Sequence, residues 1–310
     1  MTTPLLRIGT RGSPLALIQA EEIRRRLAAA YPELAAPSAL EIVTIRTTGD
    51  LVRDRTLAAI GGKGLFTKEI ESALLAGEID LAVHSLKDMA TQLPDGLVIA
   101  CHLPRADPRD AFVSARAKRL LDLPQGAVVG SSALRRQAQL LRARPDLRVV
   151  ALRGNVETRL GKVSEGKVDA TLLAVAGLAR LGLESRITEI LSADLMLPAP
   201  AQGTIAVEAR AGDDRVQRYL APLDDANTAA RSTAERALLA ALDGSCRTPI
   251  AGHAKVAAGR VSFRGLIAKP DGSHVFETTR EGTAVQAPAL GHDAGRELKE
   301  RAGAGFFALA

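Results

Sequence analysis

Two α/β lobes joined by a double crossing, followed by a small antiparallel α+β domain, is the architecture that this 310-residue sequence predicts. Three observations predict it. Strand-like and helix-like stretches alternate through the first two thirds, which is the signature of a parallel or mixed α/β sheet. Two proline-bearing segments, Pro104-Arg105-Ala106-Asp107-Pro108 and Pro198-Ala199-Pro200-Ala201-Gln202-Gly203, read as outward and return crossings between one pair of lobes. From Asn227 onward the pattern changes to a helix, three strands broken by turns, and a terminal helix. The expected domains are therefore residues 1–103 with 204–221, residues 109–197, and residues 226–310.

In chain order, Leu5–Ile8 is the first strand, and Ser13-Pro14 supplies the N-cap and N1 proline of a helix carrying Leu15, Ile18, Ile23 and Leu27. Glu41–Thr47 is the next strand. Thr48–Gly64 is polar, holds Gly49, Gly61, Gly62 and Gly64, and has no sustained period, so it reads as a long mobile loop. Thr67–Ala76 follows as a helix, Ile79–His84 as a buried strand running into Ser85-Leu86-Lys87-Asp88, and Val98–His102 as the strand that closes the first unit. The second unit runs from about Asp110 to Leu197 and contains the apolar strand Ala170–Val175; a strand at Ile205–Glu208 follows the return crossing. The third domain is a helix from Ala229 to Leu242, strands Ile250–Val256, Val261–Ala268 and Val275–Arg280, and a helix Ala289–Arg301. Ala258-Gly259 and Pro270-Asp271-Gly272-Ser273 are its turns. No internal sequence repeat is evident.

Composition narrows the function. Lys and Arg number 41 against 35 Asp and Glu, a net charge of +6, which suits an acidic small molecule as well as a nucleic acid or membrane surface. Aromatic residues make up only 3% of the chain and Trp is absent, leaving few platforms on which bases could stack; nucleic-acid binding is not expected. No apolar run reaches membrane-spanning length and no basic-then-apolar leader opens the chain, so a cytoplasmic protein without membrane contact is expected. Cys101 and Cys246 lie far apart without metal-type spacing, and no metal is expected.

The chemistry concentrates at strand-to-helix corners. Gly130-Ser131-Ser132-Ala133-Leu134-Arg135-Arg136 reads as strand end, polar loop and helix start, with Ser131 or Ser132 able to cap the helix. Leu152-Arg153-Gly154-Asn155-Val156-Glu157-Thr158-Arg159 repeats that design. A helix N-terminus favours anions, and arginines beside it favour carboxylates. For either loop alone a solvated surface arginine is the simpler reading; two loops of one build, both at carboxyl ends of strands, favour a polyanion site. Arg11 and Ser13 sit at a third such corner, where capping and a surface arginine suffice as an explanation. Gly61-Gly62-Lys63-Gly64 lacks the spacing of a nucleotide-binding loop.

Lys87-Asp88 ends a buried strand. It suits stabilisation of a ligand cation, worth roughly 4 kcal/mol at 4 Å for an effective dielectric near 20, and equally a surface ion pair of little energetic weight. Cys246 follows a helix in a loop of small residues beside Arg247, whose charge lowers a thiol pKa; it is the better nucleophile candidate, while Cys101 lies inside an apolar strand.

Taken together, Gly9-Thr10-Arg11-Gly12-Ser13-Pro14-Leu15-Ala16-Leu17, Gly61-Gly62-Lys63-Gly64-Leu65-Phe66, His84-Ser85-Leu86-Lys87-Asp88, Asp107-Pro108-Arg109-Asp110-Ala111-Phe112, both arginine loops and Ala174-Val175-Ala176-Gly177-Leu178 resemble the hydroxymethylbilane synthase (porphobilinogen deaminase) family over nearly the whole chain. The resemblance implies three domains and a dipyrromethane cofactor joined by a thioether to Cys246. It implies a transferase that adds four porphobilinogen units to this primer, each with loss of ammonia, and then releases a linear tetrapyrrole by hydrolysis. Asp88 matches the catalytic aspartate, which holds pyrrole N–H groups and stabilises the cation formed on deamination. Arg11, Ser13, Lys87, Ser131, Arg135, Arg136, Arg153 and Arg159 match positions that hold acetate and propionate groups, Arg180 matches a further cleft arginine, and Lys63 and Phe66 end a mobile cover over the cleft. A monomer is expected. Ser245 stands where glycine is common, Met89-Ala90 where an aliphatic-proline pair is common, and Ser131 where threonine is frequent; none removes a group that the chemistry needs. The alternative is a non-catalytic small-anion-binding protein, because two double-hinged lobes also resemble periplasmic solute-binding architecture. Asp88, Cys246 and the third domain distinguish the two readings.

Overall fold

The computed structural model describes residues 4–51, 66–244, 248–303 and 305–306, without the side chains of Asp50 and Leu51. The chain divides into two compact units. The first draws its described residues from 4–51, 66–105 and 204–229, and the second from 106–203 and 230–306.

Five of the strands, taken in chain order, are β1 (Leu6–Arg11), β2 (Leu40–Ile45), β3 (Leu81–Ser85), β4 (Leu97–His102) and β5 (Asp110–Ser114). Then come β6 (Val128–Gly130), β7 (Arg148–Val150), β8 (Ala170–Ala174), β9 (Glu189–Ile190) and β10 (Ile205–Arg210). The last three are β11 (Ile250–Ala257), β12 (Arg260–Ala268) and β13 (Val275–Thr283).

In the first unit the strand order is β2-β1-β3-β10-β4. β1 runs parallel to β2 and β3, whereas β10 runs antiparallel to both of its neighbours. Alternation along the strands splits the sheet into two apolar faces. Leu6, Ile8, Leu81 and Val83 pack beneath Ala20, Ile23 and Leu27 of the helix Pro14–Ala30. On the other face, Ala82 packs with Ile70, Ala73 and Leu74 of the helix Lys68–Leu75.

The second unit holds two sheets. Its five-stranded sheet has the order β7-β6-β8-β5-β9, with β6 parallel to β7 and β8, and β5 antiparallel to β8 and β9. This is the topology of the first unit again: a parallel trio, then a strand of opposite direction, then an edge strand. The repeat is structural only. The three-stranded sheet β11-β12-β13 is antiparallel throughout and packs against the helices Ala226–Ala241 and Ala287–Ala302 through Leu238, Phe263, Ile267, Ala294 and Leu298. Ala138 and Leu197 join Ala251, Leu266 and Ala268 in a shared apolar cluster, so both sheets fall into one unit.

The α/β fold class with its antiparallel α+β addition is thus observed. Three local expectations change. Thr48–Leu51, read as the start of a loop, is a turn of helix, because Glu69 accepts from both the Thr48 N–H (2.9 Å) and its hydroxyl. The helix after β6 is Leu134–Ala143, its N-cap is Ala133, and no side chain caps it. Neither Ser131 nor Ser132 takes that role: the Ser131 hydroxyl accepts from the Ala133 N–H at 3.2 Å, and the Ser132 hydroxyl donates to the Leu152 carbonyl at 3.0 Å. The short edge strand β9 was not foreseen. The remainder of the Thr48–Gly64 stretch, from residue 52, lies outside the described residues.

Candidate functional site

In the first unit the site grows from the ends of β1 and β3. β1 stops at Arg11, and Ser13 caps the following helix as expected, its hydroxyl accepting from the Ala16 N–H at 3.3 Å with Pro14 in the first turn. The guanidinium carbon of Arg11 lies 4.2 Å from the centroid of the Phe66 ring, a cation–π contact. β3 ends at Ser85, and Leu86–Asp88 form one 3-10 turn. Leu86 is buried and its N–H donates to the Thr204 carbonyl at 3.0 Å, which pins the turn to the return strand. That anchoring leaves Lys87 half-buried and Asp88 exposed. Gln19, on the buried face of the helix Pro14–Ala30, donates through Nε2 to the Ser85 hydroxyl at 2.8 Å. Arg11, Ser13, Gln19, Phe66, Thr67, His84, Ser85 and Asp88 line one small pocket. The expected residues Arg11, Ser13, Phe66 and Asp88 are brought together there, while Lys87 is not among the lining residues.

The second unit places its arginines differently. Gly130 ends β6 where a Cβ would sit 2.6 Å from Leu152 Cδ2, so only glycine lets the two strand-to-helix corners approach so closely. Ser131, Arg135 and Arg136 belong to the first corner, and all three are buried. Arg135 Nη1 donates to Asp110 Oδ2 at 2.7 Å and to the Leu197 carbonyl at 2.8 Å. Arg136 Nη2 donates to Asp110 Oδ1 at 2.6 Å, and its Nη1 to the Leu172 carbonyl at 2.8 Å. Gln202 Nε2 adds a donation to Asp110 Oδ1 at 3.0 Å. Burial alone would raise the Asp110 carboxyl, but the two guanidiniums outweigh it and hold the group well below the usual carboxylate range. Both arginines, expected as open carboxylate ligands, are therefore turned inward onto a protein carboxylate. Two cations on one anion still leave this triad positively charged.

The second corner stays more open. Asn155 caps the helix Val156–Ser164, its Oδ1 accepting from the Thr158 N–H at 2.8 Å. Gly154, at φ +117°, makes the turn before it. Arg153 and Arg159 are half-buried, and Arg159 Nε donates to the Gly154 carbonyl at 2.9 Å. Arg180, at the end of the helix Val175–Arg180, is half-buried and donates to the Gly203 carbonyl at 2.7 Å. Lys63 and Cys246 lie outside the described residues.

Sequence reasoning missed Asp110, Gln202, and the buried pair His84–Glu208. Asp110 was quoted only as part of a motif; an acidic residue opening an apolar strand in a chain rich in arginine corners is the signal that could have marked it. Chemically, the half-buried cations Arg11 and Lys87 with the exposed acceptor Asp88 suit the first unit to a ligand that carries carboxylates and N–H groups, and the second unit has half-buried cations of its own in Arg153, Arg159 and Arg180. No group of three or more His, Cys, Asp or Glu that could hold a metal occurs among the described residues. Nor, among the described residues, is any helix long and apolar enough to cross a membrane.

Residues 6–218 match the family model described as porphobilinogen deaminase, dipyromethane cofactor binding domain, and residues 229–300 match the porphobilinogen deaminase C-terminal domain. The chain is 58% identical over 308 residues to a porphobilinogen deaminase of Nitrobacter hamburgensis, covering 99% of this chain and 97% of that protein. It is 55% identical to a chloroplastic porphobilinogen deaminase of Oryza sativa, covering 98% of this chain and 86% of that protein. Among solved structures, a periplasmic substrate-binding protein from Coxiella burnetii is similar at a TM-score of 0.43 and 16% identity, over 70% of this chain and 91% of that one.

Proposed function

The chain belongs to the porphobilinogen deaminase family, and on that premise we propose that Cys246 is its cofactor anchor and Asp88 its catalytic acid–base group. It is a transferase of tetrapyrrole biosynthesis: it joins porphobilinogen units head to tail on a dipyrromethane cofactor and releases the linear tetrapyrrole hydroxymethylbilane. In each addition the C–N bond of the substrate's aminomethyl group breaks, ammonia leaves with the electron pair, and a C–C bond forms as the attacked pyrrole carbon loses a proton.

The dipyrromethane supplies a covalent primer whose free pyrrole end accepts the first substrate. The cationic side chains and Asp88 fit that group, because it pairs several carboxylates with pyrrole N–H donors. Arg11, Ser13, Lys87, Ser131, Arg153, Arg159 and Arg180 bind the carboxylates, each charged hydrogen bond contributing about 1.5–3 kcal/mol. Arg135 and Arg136 act through the residual positive charge that they share with Asp110. Asp88 accepts from pyrrole N–H groups and stabilises the cation that develops as ammonia leaves. Lys63 and Phe66 match the family's active-site loop, and Phe66 lies against the Arg11 guanidinium on this pocket. The single observation that carries the reading is the placement of exposed Asp88 on a pocket shared with Arg11 and Ser13, at the end of a strand whose turn is anchored from below.

Residues 109–197 and 226–310 are separate domains, supported by their separate sheets and largely separate cores. The protein works as a cytoplasmic monomer without nucleic acid. A non-catalytic anion-binding protein is not favoured, since simple anion capture has no use for a dipyrromethane-binding domain.

Intact mass of the denatured chain tests the anchor. A dipyrromethane-sized excess in the unaltered protein and none in Cys246→Ser is expected; an excess that survives the substitution refutes Cys246. Asp88→Asn, with cofactor attached, is expected to lose roughly 100- to 10,000-fold in kcat. Retention of near-normal turnover refutes Asp88.

A further inference from the structure

The geometry points to His84 as a second proton carrier of the Asp88 pocket, with Glu208 as the residue that positions it; this inference rests on the proposed function above. His84 lies on β3 opposite Ala206, and Glu208 is two residues further along β10, opposite Ala82. Cross-strand partners share a face, so His84 and Glu208 are diagonal neighbours on the side covered by the helix Lys68–Leu75. His84 Nε2 lies 3.1 Å from Glu208 Oε2, with both side chains almost fully buried. His84 also lines the pocket that holds Asp88. A carboxylate on one ring nitrogen fixes the tautomer and leaves the other nitrogen as the acceptor.

The surroundings are costly unless they serve something. Glu71, from the covering helix, is also buried, and that burial, aided by the Glu208 charge, raises its carboxyl above the ordinary glutamate range. Glu208 Oε1 is buried and lacks a hydrogen-bond partner among the described residues. Glu69 on the same helix, Arg11 at the end of β1 and Asp88 beyond β3 are the other charged groups facing this cluster. Two buried carboxyls around one imidazole are costly to keep inside a protein.

The reaction supplies a use for that proton. Porphobilinogen enters with its amine as an ammonium and releases neutral ammonia, the C–N electron pair leaving with nitrogen. The pyrrole carbon that forms the new C–C bond then gives up its hydrogen as a proton. His84 Nδ1 accepts that proton and passes it to the departing ammonia, which leaves as ammonium, so each cycle closes with no net proton change.

Histidine-labelled protein, read by NMR, gives the titration of His84 among the five histidines, alongside intact mass and the kcat–pH profile. His84→Gln with full cofactor mass is expected to lower kcat roughly 100-fold with KM within about twofold, and to remove one limb of the pH profile. Glu208→Gln is expected to displace both the His84 midpoint and that limb of the pH profile. A cofactor-loaded His84→Gln protein with unaltered kcat and pH profile overturns the role, as does a His84 midpoint unmoved by Glu208→Gln. Should either variant fail to fold, Asp88→Asn carries the test: neutralising this exposed aspartate lowers the His84 midpoint if the two share one pocket, and an unmoved midpoint refutes it. Absence of a dipyrromethane mass in unaltered protein would instead strike the proposed function, while the NMR titration would still report on the pair.

Discussion

The corner after β1 and the corner after β6 are built from the same parts, a strand end, a serine and arginines at a helix start, yet they resolve in opposite ways. At the first, Ser13 caps the helix and Arg11, two residues before the cap, lies along the Phe66 ring on the Asp88 pocket. At the second, no side chain caps the helix, and Arg135 and Arg136, within its first turn, face inward to Asp110. The difference teaches that position relative to the cap decides an arginine's role. Before the cap the side chain stays half-buried at the pocket; in the first turn it reaches back across neighbouring strands and needs a buried counter-charge.

This contrast is sharpest under Asp110→Asn. Removing the carboxylate strands two buried guanidiniums and is expected to lower unfolding free energy by about 3–5 kcal/mol, read by urea denaturation. The loss should depend on pH in a fixed sense. Because the folded Asp110 carboxyl is held below its unfolded value of about 3.9, its contribution is fully present above that value and disappears as pH falls through the depressed folded one. Wild type and Asp110→Asn should therefore differ by a constant amount between pH 5 and pH 8, the window lying above about 3.9, and converge only in strong acid. A variant as stable as wild type would break the comparison.

Arg11→Gln is the opposing case. Its expected cost is about 1.5–3 kcal/mol in kcat/KM, roughly 10- to 150-fold, with stability changed by less than about 0.5 kcal/mol. If thermal melting fell as far as in Asp110→Asn, the two corners would be alike after all. Ser13→Ala removes a genuine cap and should cost about 1 kcal/mol of stability by the same denaturation measurement. Smallest is Phe66→Leu, which removes the ring from beneath the Arg11 guanidinium; a loss of about 0.5–1 kcal/mol in substrate affinity, seen as a KM two- to fivefold higher, is expected.

Much of this was legible beforehand. The Ser13-Pro14 cap, the buried strand leading to Asp88, and the Asn155 corner announce themselves through short-range chemistry, where the deciding partner lies within a few residues. The inward turn of Arg135 and Arg136 does not, because their partner Asp110 is contributed by a strand that enters the sheet from before β6. His84 reads simply as one more residue of a buried strand until β10 sets Glu208 beside it. The repeated topology of the two five-stranded sheets is likewise invisible in the sequence, because it lives in strand order and direction while the side chains filling each layer differ.

β10 has a consequence for the birth of the protein. It sits between β3 and β4, so β4 has no neighbour in the sheet until residues 205–210 have arrived. A ribosome delivers β4 at residues 97–102 and must then synthesise the whole of 103–204 before that place can be filled. At about 5–20 residues per second the nascent chain spends several seconds or more with an open strand edge and an incomplete apolar face. Closing so long a loop adds only a modest entropic cost, so the gap is a matter of timing more than of equilibrium. Through that interval the growing chain presents a surface that chaperones are suited to cover.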